Sequence, residues 1–346
     1  MTKKSSKFPT DAEVVIVGVG GIVGSMLAYW LTELGQTNIV GLEKSTVIPS
    51  DIASTAHASD FVYNTTHDKL GNWTTAFSRK FYEDNGFFLK KGGLEICRKD
   101  DNACWEELKR KVASGKAFGT NVRLISASEA KEKFPLLEEE SIRGAMWDPD
   151  AGLVVPRSQD VARFAVESAK EKGALTTYAD TPAVGFEIEN GRVTGVKTDK
   201  GTIKTDKVVI ASGIWGPLTG EMAGVPVPLS PVEHPLLFFG PLPEAQGAED
   251  FLVYPLLRDQ GNSSYVRDTG RLHGGMLEWG FYEDKKPRLV DPEDIGNPEK
   301  TMGSDSMRYL DLEEIAEPLE KALETTPILN ELGWDERSSF NGLLSV

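Results

Sequence analysis

The alternation of apolar and polar stretches is clearest between Ala12 and Lys44. Residues 14–17 form an apolar, β-branched run, which is typical of a buried parallel strand. A glycine cluster follows, then an apolar segment with helical character, then the short apolar run 38–42, which ends at Glu43. This order of strand, glycine turn, helix, strand and acid predicts a βαβ unit that binds a dinucleotide.

The glycine turn supplies backbone that is suited to a phosphate. Glycine allows a tight turn and a close approach of the chain to a pyrophosphate, and the N–H groups at the start of a helix favour its negative charge. Glu43 falls where such units place an acid that hydrogen-bonds a ribose hydroxyl. The candidate cofactor-binding residues here are Gly18, Gly20, Gly21, Ile22, Val23, Gly24, Glu43 and Lys44.

The turn departs from a strict G-x-G-x-x-G pattern. Counting from Gly18 puts Val23 in the last glycine position, and counting from Val19 puts a valine in the first. We interpret this as one additional residue in the turn, with the four glycines sharing the roles of three.

A transmembrane helix is the alternative interpretation of the same stretch. Residues 14–31 carry no charge and are long enough to cross a bilayer. Four glycines near the start, β-branched residues before them and the lack of a basic flank after them favour the dinucleotide unit.

Charge and cysteine content narrow the choice of partners and of compartment. With 38 basic and 53 acidic residues among 346, the net charge is −15, which disfavours nucleic acid and anionic membranes as partners. Cys97 and Cys104 suggest neither a metal site nor a disulfide framework. Residues 1–10 lack the apolar core of a signal peptide. We therefore expect a cytoplasmic protein without a metal.

Further helices and strands follow from the periodicity. The spacing of Trp73, Phe77 and Phe81 predicts a helix over 69–88 whose aromatic stripe lies in the core. A second helix over 157–172 precedes a strand at Leu175–Tyr178. Residues 186–207 then predict a β-meander with a turn at Asn190-Gly191. Residues 207–216 predict a buried strand that runs into a glycine turn.

The chain changes character after residue 225. Four prolines fall within ten residues and are followed by longer apolar runs. These runs predict an antiparallel sheet with strands at 235–239, 251–256, 263–267 and 271–275.

Several short motifs give the chain a family resemblance. The segment Ser54-Thr55-Ala56-His57, some ten residues beyond Glu43, resembles the S-T-x-H segment of the dimethylglycine and sarcosine dehydrogenase/oxidase family of flavoproteins. The other motifs that resemble this family are Gly92-Gly93-Leu94, the A-x-G-x-W segment Ala211–Trp215, and Tyr265-Val266-Arg267.

The resemblance implies an FAD cofactor and several of its contacts. In that family the histidine of the S-T-x-H segment carries covalently bound FAD, so His57 would be the attachment point. Ser54 and Thr55, in the same segment, would also contact FAD. Val184 would present its backbone to the adenine, and Trp215 belongs to the second FAD signature of the family. From the residue alone, Val184 is an ordinary strand residue.

His234 and Tyr265 are the candidate catalytic residues. By the resemblance they would face the flavin and could bind an amine or help its deprotonation. Without the resemblance, Tyr265 is equally a half-buried strand aromatic and His234 a turn residue beside a proline. His67 and His273 are expected to be structural, and Arg258 and Arg267 lie in the sheet that would bind a substrate carboxylate.

The fold class expected from these elements is α/β, with a Rossmann-like FAD-binding domain that includes the meander and an antiparallel-sheet substrate domain. The expected domains are residues 1–90 and 150–225 for FAD, and 91–149 and 226–346 for substrate. The family pattern is cut off at Val346, so we expect either a fragment or a partner chain that supplies the remainder.

The resemblance implies an FAD-dependent oxidoreductase that oxidises the C–N bond of a small N-methylated amino acid of the dimethylglycine or sarcosine type. The electron acceptor, oxygen or an electron-transfer protein, stays open. Two alternatives also stay open: a non-catalytic or partner-dependent flavoprotein fragment, and a glycine or D-amino-acid oxidase with noncovalent FAD.

Overall fold

The computed structural model describes residues 8–64, 67–282 and 287–346. The helices are α1 (Ile22–Glu33), α2 (Lys69–Asp84), α3 (Asn102–Ala117), α4 (Ala127–Lys133), α5 (Ser158–Glu171), α6 (Gly216–Met222), α7 (Leu312–Thr325) and α8 (Ile328–Glu331). The strands are β1 (Val14–Val17), β2 (Ile39–Leu42), β3 (Phe61–Val62), β4 (Phe88–Lys90), β5 (Gly93–Arg98), β6 (Arg123–Ser126), β7 (Ile142–Asp148), β8 (Gly152–Val154), β9 (Leu175–Tyr178), β10 (Ala183–Glu189), β11 (Arg192–Thr198), β12 (Gly201–Lys204), β13 (Val208–Ile210), β14 (Pro231–Phe239), β15 (Leu256–Asp259), β16 (Ser264–Asp268), β17 (Leu277–Phe281), β18 (Met307–Arg308) and β19 (Phe340–Ser345).

A four-stranded parallel sheet forms the centre of the first half of the fold. Its order is β13-β1-β2-β9, and every residue of β1 and β2 is buried. Both faces are covered, which explains why these strands are uniformly apolar. Side chains of α1 and α5 pack on one face, and side chains of the antiparallel meander β10-β11-β12 pack on the other. The expected Rossmann-like unit with a meander is confirmed.

The stretch 14–31 is not one helix. It divides into β1, the glycine turn and α1, which has 12 residues. Within the described ranges, we find no helix with the length and apolar character needed to cross a bilayer.

The second half is organised around a nine-stranded sheet of order β18-β19-β14-β17-β16-β15-β5-β7-β6. Its strands pair antiparallel except for β15 with β5, which run parallel, so the expectation of an antiparallel sheet needs that correction. Side chains alternate across the sheet. Leu237, Val266 and Trp279 lie in a core that α7 helps to close, whereas Leu236 and Tyr265 lie on the opposite face.

Two of the four predicted strands in this sheet are misplaced. Residues 251–255 are not a strand because the Asp268 carboxylate accepts the backbone N–H groups of Val253 and Tyr254, which a strand would use for pairing. Residues 271–275 form a turn in which His273, Gly274 and Gly275 have positive φ. The strands lie instead at β15 and β17.

The aromatic stripe of α2 is the third correction. Phe81 is buried, but Trp73 and Phe77 are 60% and 47% exposed. The helix lies on the surface, and Phe77 stacks on Trp73 and contacts Trp30 of α1, each at 5.6 Å between ring centroids. The periodicity therefore correctly predicts a helix but not a core position for two of its three rings.

The sheets draw their strands from different parts of the chain. The strands of the parallel sheet and of the meander lie between residues 14 and 210, and none of them falls within 91–149. The strands of the nine-stranded sheet lie within 93–148 and 231–345. A small sheet of order β3-β8-β4 joins segments near 61, 89 and 153. The domain boundaries themselves stay a prediction.

Candidate functional site

The glycine turn between β1 and α1 is packed so closely that side chains would not fit. Gly18 has φ +94°, and a Cβ there would lie 2.5 Å from the carbonyl oxygen of Ala211, just beyond β13. A Cβ on Gly24 would lie 2.1 Å from the carbonyl oxygen of Gly18. These two glycines allow the first turn of α1 to approach the parallel sheet.

Gly20 and Gly21 differ from those two. Gly20 donates its N–H to Glu43 Oε2 at 2.9 Å, and a Cβ on Gly20 would lie 2.5 Å from that oxygen. Gly21 precedes α1 in an extended conformation and is open, since the nearest atoms to a Cβ there are 3.8 Å away. Of the four glycines, Gly21 leaves the most room for a ligand at the helix start.

Glu43 is held by the backbone at both carboxylate oxygens. Oε2 accepts the Gly20 N–H, and Oε1 accepts the Ser45 N–H at 3.0 Å. Burial raises the pKa of Glu43, and the hydrogen bonds from Ser45 and Gly20 oppose that rise. The sequence assigned Glu43 only to a ribose, but the carboxylate also braces the glycine turn.

The other predicted residues around the turn lie at or near the surface. Val23 in the first turn of α1 is 67% exposed, and Val184 in β10 is 54% exposed. Lys44 Nζ lies 4.6 Å from the centre of the Trp215 ring and 2.6 Å from Asp305 Oδ2. Lys44 and Trp215, which are 171 positions apart in sequence, therefore lie side by side.

The Ser54–His57 segment is a single 3-10 turn that joins the two halves of the fold. Thr55 Oγ1 accepts the Ile22 N–H at the start of α1, at 3.0 Å. Ser54 Oγ donates to the carbonyl of Leu343 in β19 at 2.8 Å. The motif thus ties the start of α1 to the edge region of the nine-stranded sheet.

His57 is a neutral, half-buried imidazole. Its ring lies 5.6 Å from that of Phe340. Burial lowers the pKa of His57 to about 4, and the positive charge of Arg157 adds to this effect. Nε2 is buried and has no hydrogen-bond partner among the residues that the structure describes. A buried polar atom without a partner is costly, so a group bound at Nε2 would satisfy it.

His234 and Tyr265 form a hydrogen-bonded pair, as their assignment to one site requires. His234 Nε2 and Tyr265 Oη are 2.8 Å apart, and Ser59 Oγ lies 2.9 Å from the same phenolic oxygen. Ser59 is two residues from His57, so the segment from His57 to Ser59 reaches the pair. Tyr282 stacks on His234 at 4.3 Å between centroids.

Gly280 makes this geometry feasible. It lies opposite Tyr265 in the sheet, on the strand between β16 and β14, and a Cβ there would be 2.4 Å from Tyr265 Cζ and Oη. The tyrosine ring therefore crosses β17 over a residue without a side chain to reach His234. A glycine inside a strand signals such close approach. Gly280, Ser59 and Tyr282 were not among the residues predicted for this site.

Both members of the pair are uncharged near neutral pH. Burial lowers the pKa of His234 to about 4, and burial raises the pKa of Tyr265 well above 10. A neutral imidazole can accept a proton and a phenol can donate one, so the pair can relay a proton between its two heteroatoms.

The sequence suggested Arg258 and Arg267 as residues near a substrate carboxylate, and the two differ in their burial. Arg267 is fully buried and pairs with Glu278 at 2.5 Å, on strands β16 and β17. Arg258 is 39% exposed and lines a cavity of about 380 Å³ between the segment 61–64, α2, α3 and the sheet.

The chain is similar to several enzymes of amine oxidation and to one regulatory protein. It is 27% identical to human mitochondrial sarcosine dehydrogenase, over 95% of this chain and 34% of that protein. Human mitochondrial dimethylglycine dehydrogenase is 28% identical over 92% of this chain and 36% of its own length. The mouse mitochondrial pyruvate dehydrogenase phosphatase regulatory subunit is 30% identical over 82% of this chain and 31% of its own length.

The fold is similar to solved structures of related enzymes. The crystal structure of L-proline dehydrogenase from P. horikoshii matches with a TM-score of 0.79 and 25% identity, over 97% of this chain and 82% of that one. The chain spans about a third of the length of the curated relatives named above. The family model described as DAO, FAD dependent oxidoreductase, matches residues 13–345. The chain therefore belongs to the DAO family of FAD-dependent oxidoreductases.

Proposed function

We propose that this chain oxidises the C–N bond of a small N-methylated amino acid, of the dimethylglycine or sarcosine type, with FAD as its cofactor. The observation that carries the proposal is the hydrogen bond of 2.9 Å between Ser59 and Tyr265. Through it, the segment that bears His57 meets the His234–Tyr265 pair. The similarity to sarcosine and dimethylglycine dehydrogenases supports the substrate type.

The residues around the glycine turn fit an FAD molecule. Bound FAD supplies the two-electron oxidation, while the protein binds and orients the reactants. The open Gly21 and the start of α1 favour a pyrophosphate. The proposed contacts to FAD are Gly18, Gly20, Gly21, Ile22, Val23, Gly24, Glu43, Lys44, Ser54, Thr55, His57, Val184 and Trp215.

His234 and Tyr265 would remove a proton from the substrate nitrogen. An amine must be unprotonated to give up electrons from the adjacent C–H bond. In the proposed relay, Tyr265 Oη accepts the proton from nitrogen while its own proton passes to His234 Nε2, 2.8 Å away. The low pKa of His234 keeps that nitrogen unprotonated at neutral pH.

Release of formaldehyde tests the proposed reaction. The flavin-loaded protein should convert sarcosine or dimethylglycine to the demethylated amino acid and formaldehyde. Tyr265→Phe should lower the turnover rate by roughly 100-fold to 10,000-fold, since it removes a proton-transfer group. The matched control is Tyr309→Phe, because Tyr309 is 64% exposed. Absence of formaldehyde from every N-methylated amino acid would refute the proposal.

A covalent link between His57 and FAD is a separate proposal. Its support is the buried Nε2 without a partner, together with the low pKa that keeps the imidazole neutral. Trypsin should release residues 45–69 as one peptide, because no lysine or arginine lies between Lys44 and Lys69. Mass spectrometry should find that peptide carrying a flavin, with the modification at His57.

The alternatives keep specific support. The similarity to a phosphatase regulatory subunit favours a non-catalytic role, and a partner-dependent flavoprotein stays open. Flavin that dissociates on denaturation would favour a noncovalent glycine or D-amino-acid oxidase. The electron acceptor stays open, and a cytoplasmic location stays a prediction, since the human relatives are named mitochondrial.

A further inference from the structure

Arg157 contacts the backbone on both sides of His57. Its Nη2 donates to the carbonyl oxygen of Ala58 at 2.8 Å and, more weakly, to the carbonyl oxygen of Ala56 at 3.4 Å. Ala56 immediately precedes His57 and Ala58 immediately follows it. One nitrogen of the guanidinium therefore fixes the peptide groups on either side of the histidine.

Asp60 holds the guanidinium in this position. Arg157 Nε lies 2.7 Å from Asp60 Oδ2, and the Asp60 side chain is 1% exposed. The other carboxylate oxygen, Oδ1, accepts the backbone N–H of Ser158 at 3.0 Å and also the Ser158 hydroxyl. Because Ser158 begins α5, the carboxylate lies at the positive end of that helix. The guanidinium is thus anchored through Asp60 to the start of α5.

The backbone at Asp60 is turned so that this ion pair can form. Asp60 has φ +62°, in the left-handed region that is uncommon for residues with a side chain. Burial raises the pKa of Asp60, and the charge of Arg157 opposes that rise. A buried carboxylate in this conformation needs surroundings that hold it, and the contacts to Arg157 and Ser158 supply them.

The segment that carries His57 has an independent anchor at its other end. Thr55 accepts a hydrogen bond from the start of α1 at 3.0 Å, and Ser54 donates one to β19 at 2.8 Å. Ser54 and Thr55 therefore hold the beginning of the segment, while Arg157 holds its end. With both ends held, few orientations are open to the His57 ring, whose buried Nε2 has no partner within the described part of the chain.

The charge of Arg157 acts on the His57 ring together with its hydrogen bonds to the backbone. Burial and the charge of Arg157 lower the pKa of His57 to about 4, and the charge of Asp51 opposes them. A ring nitrogen needs a free electron pair to bond to carbon, and only the neutral imidazole has one. Arg157 thus favours both the position and the reactive form of the ring.

The fold of α5 does not depend on the Arg157 side chain. Arg157 precedes the helix, and its own backbone is extended, with φ −152° and ψ 159°. The helix packs through a buried apolar face that includes Val161, Ala165 and Val166. We therefore expect variants of Arg157 to fold, so that effects on the His57 segment can be measured.

We propose that Arg157 is a positioning residue for flavin attachment, which holds the segment around His57 in the conformation that lets Nε2 bond to FAD. The inference rests on the proposed covalent link. In that link, a C–N bond replaces the N–H bond of the imidazole and one C–H bond of a methyl group on the flavin. The two hydrogens with their two electrons reduce the flavin, and dioxygen reoxidises it with release of hydrogen peroxide.

The rate of flavin attachment tests this proposal, with total bound flavin as a second readout. Protein from riboflavin-limited cells is incubated with FAD in air and desalted. Absorbance then measures total bound flavin, and fluorescence of the acid-washed pellet measures attached flavin over time. Arg157→Met should still bind FAD but attach it about 10-fold to 150-fold more slowly than the wild type, the range for loss of a hydrogen bond to a charged group.

Two further variants separate positioning from folding. Arg163→Met is the matched control, because Arg163 lies on α5, pairs with Asp160 at 2.9 Å and is 58% exposed; it should attach flavin at the wild-type rate. Arg157→Lys keeps the charge but loses the planar fork that serves both the backbone carbonyls and Asp60, so its rate should fall between those of the wild type and Arg157→Met.

Several results would overturn the role of Arg157. They are a wild-type rate in Arg157→Met or in Arg157→Lys, and equal slowing in Arg163→Met. An equal loss of total and attached flavin in Arg157→Met would also overturn it, because that result indicates a structural role only.

The role of Arg157 and the proposed function fail in different ways. Flavin that the wild type binds but never attaches would refute the covalent link and with it the role of Arg157, while release of formaldehyde would still support the reaction. Attachment at the wild-type rate in Arg157→Met would refute the role of Arg157 alone.

Discussion

Replacement of Gly280 by alanine should dislodge Tyr265 without removing any polar group from the site. The new methyl carbon would lie 2.4 Å from Tyr265 Cζ and Oη, whereas carbon atoms pack at about 3.5–4.0 Å. The ring must therefore move by about 1 Å. Its hydrogen bonds to His234 and Ser59, at 2.8 and 2.9 Å, would then exceed hydrogen-bonding distance.

The cost can be worked out from these contacts. Overpacking of a buried site costs about 1–3 kcal/mol, and each lost hydrogen bond costs about 0.5–1.5 kcal/mol. Alanine in a strand gains about 0.5–1 kcal/mol over glycine, which offsets part of this. We expect Gly280→Ala to lower the free energy of unfolding by about 2–4 kcal/mol.

Urea unfolding of a double-mutant cycle with Tyr265→Ala is the assay. Without the ring, the methyl group at position 280 has space, so Gly280→Ala should be neutral or slightly stabilising in that background. Gly185→Ala in β10 is the control, because the nearest atom to a Cβ there is 3.9 Å away. An equal cost of Gly280→Ala with and without the Tyr265 ring would refute the reasoning.

Three further predictions concern buried charge and the glycine turn. Burial lowers the pKa of His234 to about 4, below the value of 6.5 for the unfolded state. The stability that the neutral ring contributes is therefore full above pH 6.5 and is lost as the pH falls towards 4. Between pH 8 and 5, the free energy of unfolding in urea should fall by about 2 kcal/mol more for the wild type than for His234→Gln. Lys111→Met should lower the free energy of unfolding by about 3 kcal/mol, because it leaves the Glu95 carboxylate buried without its closest partner. In thermal melts, the additional substitution Glu95→Gln should recover more than half of the lost stability. Gly20→Ala should push the Glu43 carboxylate away from the Gly20 N–H and weaken FAD binding at least 10-fold in flavin fluorescence titrations. The control is Gly333→Ala, at a position where a Cβ meets no atom within 4 Å, and an equal loss of binding in that variant would contradict the reasoning.

The central βαβ unit could be predicted because its signals are local. A β-branched run, a glycine turn and an apolar helix are contiguous, and the strand predicted at Leu175–Tyr178 has the observed bounds. The strand predicted at 251–256 failed because Asp268, more than ten positions away, accepts the N–H groups of that segment. No local pattern contains such a contact.

The candidate site could also be predicted only in part, because contacts between residues distant in sequence position its side chains. His57 and Tyr265 were proposed from short motifs and His234 from the family resemblance, and the structure brings the His57 segment to the other two. The position of Arg258 opposite Tyr265 could not be predicted, because it depends on strand register. Neither the neutralisation of Glu95 by Lys111 nor the burial of Arg267 follows from spacing in the sequence.

Acid precipitation of the purified protein tests the central claim most directly, namely that His57 carries FAD covalently beside the His234–Tyr265 pair. Flavin fluorescence should stay with the pellet for the wild type and for the control His67→Ala, whose side chain is 58% exposed. In His57→Ala it should move to the supernatant. Flavin in the supernatant of the wild type, flavin retained in the pellet of His57→Ala, or no flavin in either fraction would contradict the account.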